Sequence, residues 1–104
     1  MPPAYRVIIQ PRASADIVGI ATYIEQASPQ NASSITQKLL DAIDSLNRLP
    51  HRYKVYQSHR VPGFVVRSMP VWPFIVYYQI AESRQAVVVL AVIHGARRQP
   101  RSFN

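Results

Sequence analysis

The sequence predicts an α+β fold in the order β-α-α-β-β-β, with a helical hairpin packed on one face of a mainly antiparallel sheet. Two observations predict it. The first half carries two apolar stripes at helical spacing, divided by Ser28-Pro29. The second half carries three runs rich in β-branched and aromatic residues: Val65-Val66-Arg67, Ile75-Val76-Tyr77-Tyr78, and Val87-Val88-Val89-Leu90-Ala91-Val92-Ile93. A length of 104 residues suits one domain, residues 1–104. A chain of that size buries only about two thirds of its unfolded surface, so a partner can matter for stability.

The first strand is read over residues 5–9, Tyr5-Arg6-Val7-Ile8-Ile9. Pro11 suits the first turn of a helix, where its missing N–H costs nothing. Ile17, Ile20, Ala21 and Ile24 recur at helical spacing, which places helix one over 11–26 with Gly19 weakening it slightly. Ser28-Pro29 offers a hydroxyl cap followed by proline and starts helix two. Its stripe is Ile35, Leu39, Ala42, Ile43 and Leu46; Pro50 ends it and restrains Leu49. The link between the helices is very short, so they should pair antiparallel. Residues 51–62 read as a polar loop. Strands then follow at 63–69, 74–80 and 86–94, with a turn around Trp72 and another at 82–85, and a basic tail closes the chain at 95–104. In 74–80 both faces are largely apolar, so the sheet face away from the helices should also be covered.

Twelve Lys and Arg, mostly arginine, face five Asp and Glu, for a net charge of +7. That balance points to an anionic partner, either nucleic acid or an acidic protein. No cysteine is present, which excludes disulfides and thiolate metal sites. There is no signal-peptide pattern, and the longest apolar run is too short to cross a membrane. Asp16, Glu25, Asp41 and Asp44 lie on the helices and Glu82 in a turn, with no pair placed for acid–base work or Mg²⁺. No phosphate loop or nucleophile motif occurs, and no cofactor is expected.

Four features can carry chemistry. His94 ends the last strand, on the side of Val88, Leu90 and Val92. It suits a general acid or base, or a hydrogen-bonding cap of the sheet edge. Arg67 can grip a phosphate or a partner carboxylate, or lie on the surface beside a polar neighbour. Tyr77 and Tyr78 point to opposite faces, so one should be core and one exposed, where it can position a base. Arg52, Lys54, His59 and Arg60, with Tyr53 and Tyr56 between them, match a single-strand-binding surface and equally a solvated loop.

Several segments resemble a known family in their order and spacing. They are Ala15-Asp16-Ile17, Tyr23-Ile24, Leu49-Pro50, Val66-Arg67, Ile75-Val76-Tyr77-Tyr78 and Val92-Ile93-His94-Gly95-Ala96-Arg97-Arg98. Together, over nearly the whole chain, they resemble the RelE/ParE superfamily of bacterial toxins, and the last is similar to its ParE branch. The resemblance implies a cytoplasmic toxin of a type II toxin–antitoxin pair that poisons DNA gyrase with no catalytic residue of its own. It implies a ParD-like or similar antitoxin, partly disordered when free, which neutralises the toxin in a higher-order assembly and covers the open sheet face. Arg67, Tyr77, His94, Arg97 and Arg98 become the partner-binding candidates. The alternative in the same superfamily is a RelE-like, ribosome-dependent mRNA endonuclease, with Arg67 as phosphate clamp and His94 as acid or base. A third reading is a non-toxic basic binding module of the same fold.

Overall fold

The computed structural model describes residues 4–58 and 65–103. Its elements are β1 (Arg6–Ile9), α1 (Pro11–Ala27), α2 (Pro29–Asp44), β2 (Val55–Ser58), β3 (Val65–Val71), β4 (Phe74–Ala81) and β5 (Ala86–His94). The five strands form one sheet in the order β1-β5-β4-β3-β2. All neighbours are antiparallel except β1 and β5, which run parallel. A parallel pair needs a crossover, and the helical hairpin supplies part of it.

Pro11 and Pro29 occupy the first turns of their helices, as expected. Ser28 does not cap α2 with its hydroxyl. Its backbone N–H still closes α1 on the Ile24 carbonyl at 2.7 Å, and its hydroxyl accepts from the Asn31 side chain. One residue thus serves as both the end of α1 and the start of α2. From α1, Ala13, Ile17 and Ile24 enter the core; from α2 and the turn after it come Leu39, Ile43 and Leu46. They meet Met69, Val71, Phe74, Val76, Tyr78, Val87, Val89 and Val92 on the sheet. The expected stripe is therefore the one that packs.

Three expectations need correction. The loop at 51–62 contains a strand: β2 pairs with β3 across an irregularity between Val55 and Gln57. The segment is short and polar, so its periodicity is weak, yet it satisfies the outer edge of β3 and packs Tyr56 on Tyr77. His59 and Arg60 lie outside the described residues. Secondly, β5 holds a bulge: Tyr77 pairs with Ala91 but Tyr78 with Val89. The extra residue, Leu90, shifts the alternation. Val88 and Leu90 therefore pack on the face away from the helices, whereas Val92 packs on the helix face, where His94 meets Phe74. His94 does not share a side with Val88 and Leu90. Thirdly, both tyrosines are buried, Tyr77 at 1% exposure and Tyr78 at 0%.

The cover on the second face comes, in part, from the chain itself. Phe103 stacks near Tyr77 and Tyr56, with ring centroids 5.1 and 6.2 Å away. The Tyr56 hydroxyl donates to the Pro100 carbonyl and the Gln57 side chain to the Arg101 carbonyl, each at 2.8 Å. The tail is thus a strap over Val66, Tyr77, Leu90 and Ala91 rather than a free basic extension.

Candidate functional site

The two ends of the sheet place the predicted residues very differently. At one end, β5 finishes at His94 and the β3–β4 hairpin turns at Trp72-Pro73. Gly95 explains how these approach: its N–H donates to the Pro73 carbonyl at 2.7 Å, and a Cβ there would meet the Trp72 ring at 2.7 Å. Trp72 itself stays 67% exposed. The His94 Nδ1 accepts the Ala96 N–H at 3.0 Å, and its ring stands edge-on to Phe74. That bond uses Nδ1 as an acceptor. The contacts are those of a cap on the strand end. Arg97 and Arg98 follow, both exposed, with the Arg97 N–H held by the His94 carbonyl.

Beside this strand end runs a cleft of about 530 Å³. Asp16, Gly19, Ile20 and Tyr23 of α1 form one wall; Val92, Ile93, His94 and Arg97 form the other. The cleft exists because β1 is shorter than β5. Pairing ends at Ile9 with Val89, and the chain then turns into α1. The Gln10 N–H makes the last bond, to the Val89 carbonyl. Beyond it the Asp16 carboxylate takes the place of a strand, accepting the Val92 N–H at 3.0 Å. In the sequence Asp16 is one of five scattered acids and also part of a segment that carries the resemblance. Its signal, and that of Tyr23, was the pair of segments Ala15-Asp16-Ile17 and Tyr23-Ile24.

At the opposite end, Arg67 pairs with Tyr78 and is half-buried. Its Nη1 donates to the Tyr53 carbonyl at 2.8 Å and the His51 carbonyl at 3.3 Å. It is therefore engaged in holding the segment that leads into β2. Tyr78 donates to the carbonyl of buried Pro50. Burial pushes the Tyr78 hydroxyl up to about 12, against the opposing pull of Arg67 and Arg52. Leu49, before that proline, adopts a left-handed conformation with φ 47° and ψ 52°. That costs on the order of 1–2 kcal/mol for a residue with a Cβ. Glu82 joins the cluster by accepting from Tyr5 at 2.9 Å and pairing with His51. Those two partners, His51 first, hold its carboxyl below the usual carboxylate range.

Arg67 and His94 are not brought together. Their β4 partners, Tyr78 and Phe74, stand four residues apart, about 13 Å along a strand. Tyr77 lies under the strap, its hydroxyl donating to Gln99. Burial, then the neighbouring Tyr56, push it up to about 12. His94, Arg97 and Arg98 do share one end. Among the described residues no group of three His, Cys, Asp or Glu is arranged to hold a metal ion, and no helix is long and apolar enough to cross a membrane.

Known proteins share this arrangement. The ParDE toxin–antitoxin system from P. aeruginosa is similar over 88% of this chain and 96% of that one, with a TM-score of 0.68 at 18% identity. The RelBE2 complex from Mycobacterium tuberculosis is similar over 93% and 98%, with a TM-score of 0.63 at 21% identity. The archaeal RelE–RelB complex from Pyrococcus horikoshii matches over 91% and 99%, with a TM-score of 0.63 at 15% identity. At these identities the likeness establishes the fold. No curated protein matches in sequence. The family model for the ParE toxin of the parDE type II toxin–antitoxin system, however, matches residues 7–99, from β1 to just beyond the arginine pair. With helical hairpin, five-strand sheet and ending in agreement, the chain belongs to the ParE toxin family of type II toxin–antitoxin systems.

Proposed function

We propose that this toxin acts on DNA gyrase in the cytoplasm, stalling the enzyme on cleaved DNA, and that a ParD-like antitoxin holds it inactive. The observation that carries this reading is the family match through residue 99, which includes His94, Arg97 and Arg98. The disposition of Arg67 adds support. Its guanidinium is bound to backbone carbonyls, and it sits at the far end of the sheet from His94. A nuclease built on those two residues needs both within reach of one ribose and phosphate. The exposed end with Arg97 and Arg98 instead suits binding to an anionic or carboxylate-bearing surface.

The test is a gyrase supercoiling assay run beside cleavage of ribosome-bound mRNA. The expected outcome is slowed supercoiling with accumulated gyrase-cleaved DNA, and intact RNA. Translation-dependent RNA breaks, lost on Arg67→Ala or His94→Ala, would overturn the gyrase assignment in favour of the endonuclease.

A further inference from the structure

We propose that the surface formed by Trp72 and the arginines of the tail binds a single strand of DNA, with guanidiniums on the phosphates and the tryptophan stacked under one base. This contact deepens the gyrase reading by giving the toxin a hold on the DNA that gyrase cuts.

Charge is the first argument. The net +7 is not spread evenly over the molecule. The helical hairpin, residues 11–44, holds two cations, Arg12 and Lys38, against Asp16, Glu25, Asp41 and Asp44, a net −2. The rest of the chain holds ten cations against Glu82 alone, a net +9. A polyanion is therefore drawn to the sheet and the tail, not to the helices. That argues against a helix entering a duplex groove.

The state of the arginines is the second argument. Among the described residues no arginine pairs with a carboxylate; the one ion pair joins His51 to Glu82. Arg52 and Arg67 are engaged by backbone carbonyls. Arg97, Arg98 and Arg101 are exposed, and their side chains have no partner among the described residues. The backbone that carries them is nevertheless pinned. The Arg97 N–H donates to the His94 carbonyl at 3.0 Å, and the Pro100 and Arg101 carbonyls accept from Tyr56 and Gln57 at 2.8 Å. Free guanidiniums on an ordered strap bind phosphates without the cost of ordering a tail.

The third argument is Trp72. It turns the β3–β4 hairpin, 67% exposed, and its six-membered ring lies against Gly95, two residues before Arg97. A ring held there presents a large flat surface to water beside the arginines. A base inside a duplex is already stacked; an unpaired base is free to stack on the indole. An acidic peptide would satisfy the arginines alone, whereas the indole beside them favours a ligand with both charge and flat rings.

Trp72 is the only tryptophan of the chain, so its fluorescence reports the contact directly. The purified toxin is titrated with an oligothymidylate of roughly ten nucleotides. Emission should fall as the complex saturates. Arg97→Ala combined with Arg98→Ala should raise Kd at least about tenfold, and should flatten the plot of log Kd against log salt by about 1.4, the change for two phosphate contacts on a single strand. Trp72→Ala, followed by the anisotropy of labelled DNA, should weaken binding about tenfold with that slope unchanged, and Trp72→Phe should recover part of the loss. Arg84→Ala removes the same charge at the Glu82 end and should leave Kd within about twofold. Unchanged emission at saturating DNA, or Trp72→Ala and Trp72→Phe both binding as tightly as the wild type, overturns the site. So does a duplex of the same length bound as tightly as the single strand, or an oligouridylate bound about tenfold more tightly. Polyglutamate of equal charge bound as tightly as the DNA overturns it in favour of an acidic protein. Gyrase enters none of these measurements. DNA binding with normal supercoiling refutes the gyrase reading alone, and slowed supercoiling without DNA binding refutes this contact alone.

Discussion

The Glu82 end and the His94 end of the same sheet differ in how their polar groups are used. At the first, Arg67, Tyr78, Glu82, His51 and Tyr5 all bond one another's segments, and a buried proline sits among them. That end ties β1, the turn after α2, and the β4–β5 turn into one unit. At the second, Trp72, Tyr23, Arg97 and Arg98 stand in solvent, and His94 merely caps its own strand. A small domain has little stability to spare. It keeps an apolar and cationic surface exposed at one end because the other end and the core hold the fold. The strained backbone is also at the closed end, at Leu49 and at Gln85 (φ 44°), where surrounding bonds hold it in place.

The largest expected effect removes the support common to both ends. Leu39 is 1% exposed in the middle of the core. Leu39→Ala should cost roughly 2–5 kcal/mol in urea unfolding and lower the melting temperature, with antitoxin binding partly restoring it. A loss below about 1 kcal/mol means the two ends are held by something other than the helix–sheet core.

Alkaline titration probes the two buried tyrosines. Tyr77 and Tyr78 keep their protons to about 12, whereas tyrosines of the unfolded chain ionise near 10. Between those values the unfolded state binds fewer protons, so stability falls as pH rises from 10 to 12. The loss should be on the order of 2 kcal/mol for each residue. Tyr78→Phe should remove the share belonging to the closed end and Tyr77→Phe the share belonging to the strap. A stability profile flat through that window would contradict the burial of both hydroxyls.

Arg67→Ala sharpens the contrast between the ends. Losing the bonds to the Tyr53 and His51 carbonyls should cost about 2 kcal/mol. The rate of antitoxin association should hardly change. If that rate drops as much as it does for the arginine pair, the closed end also meets the partner.

The smallest stability effect belongs to Arg97→Ala combined with Arg98→Ala. Both side chains are exposed, so stability should move by less than about 0.5 kcal/mol. Stopped-flow association with the antitoxin should slow, and its salt dependence should flatten. An association rate untouched at low ionic strength would remove the arginine pair from the binding surface.

What was legible in the residues follows the strength of local signals. The two prolines, the Ile17–Ile20–Ile24 stripe and the Ile35–Leu39–Ile43–Leu46 stripe located the two helices because one-sided burial at a 3.6-residue period needs no knowledge of the partner surface. The β-branched runs located three of the strands for the same reason. β2 escaped because four residues are too few to show a period, and it forms only against the edge of β3. The candidate residues divided along the same line. His94, Arg97 and Arg98 are contiguous, so the chain itself brings them together. Arg67 and His94 are paired only by the resemblance, and register sets their β4 partners four residues apart.

By itself the sequence determined the helical hairpin, the apolar strands, the basic charge and the His-Gly-Ala-Arg-Arg strand end, because each rests on residues close together in the chain. Tertiary structure alone decided four things. They are the parallel pairing of β1 with β5, the bulge that carries His94 to the helix face, the return of Phe103 over Tyr77, and the cleft lined by Asp16, Tyr23 and Val92. Each depends on where distant segments stop: β1 ends at Ile9 while β5 runs on to His94, and that difference in length opens the cleft. Local chemistry can specify a strand, but only the packed sheet specifies which of its edges is left without a neighbour.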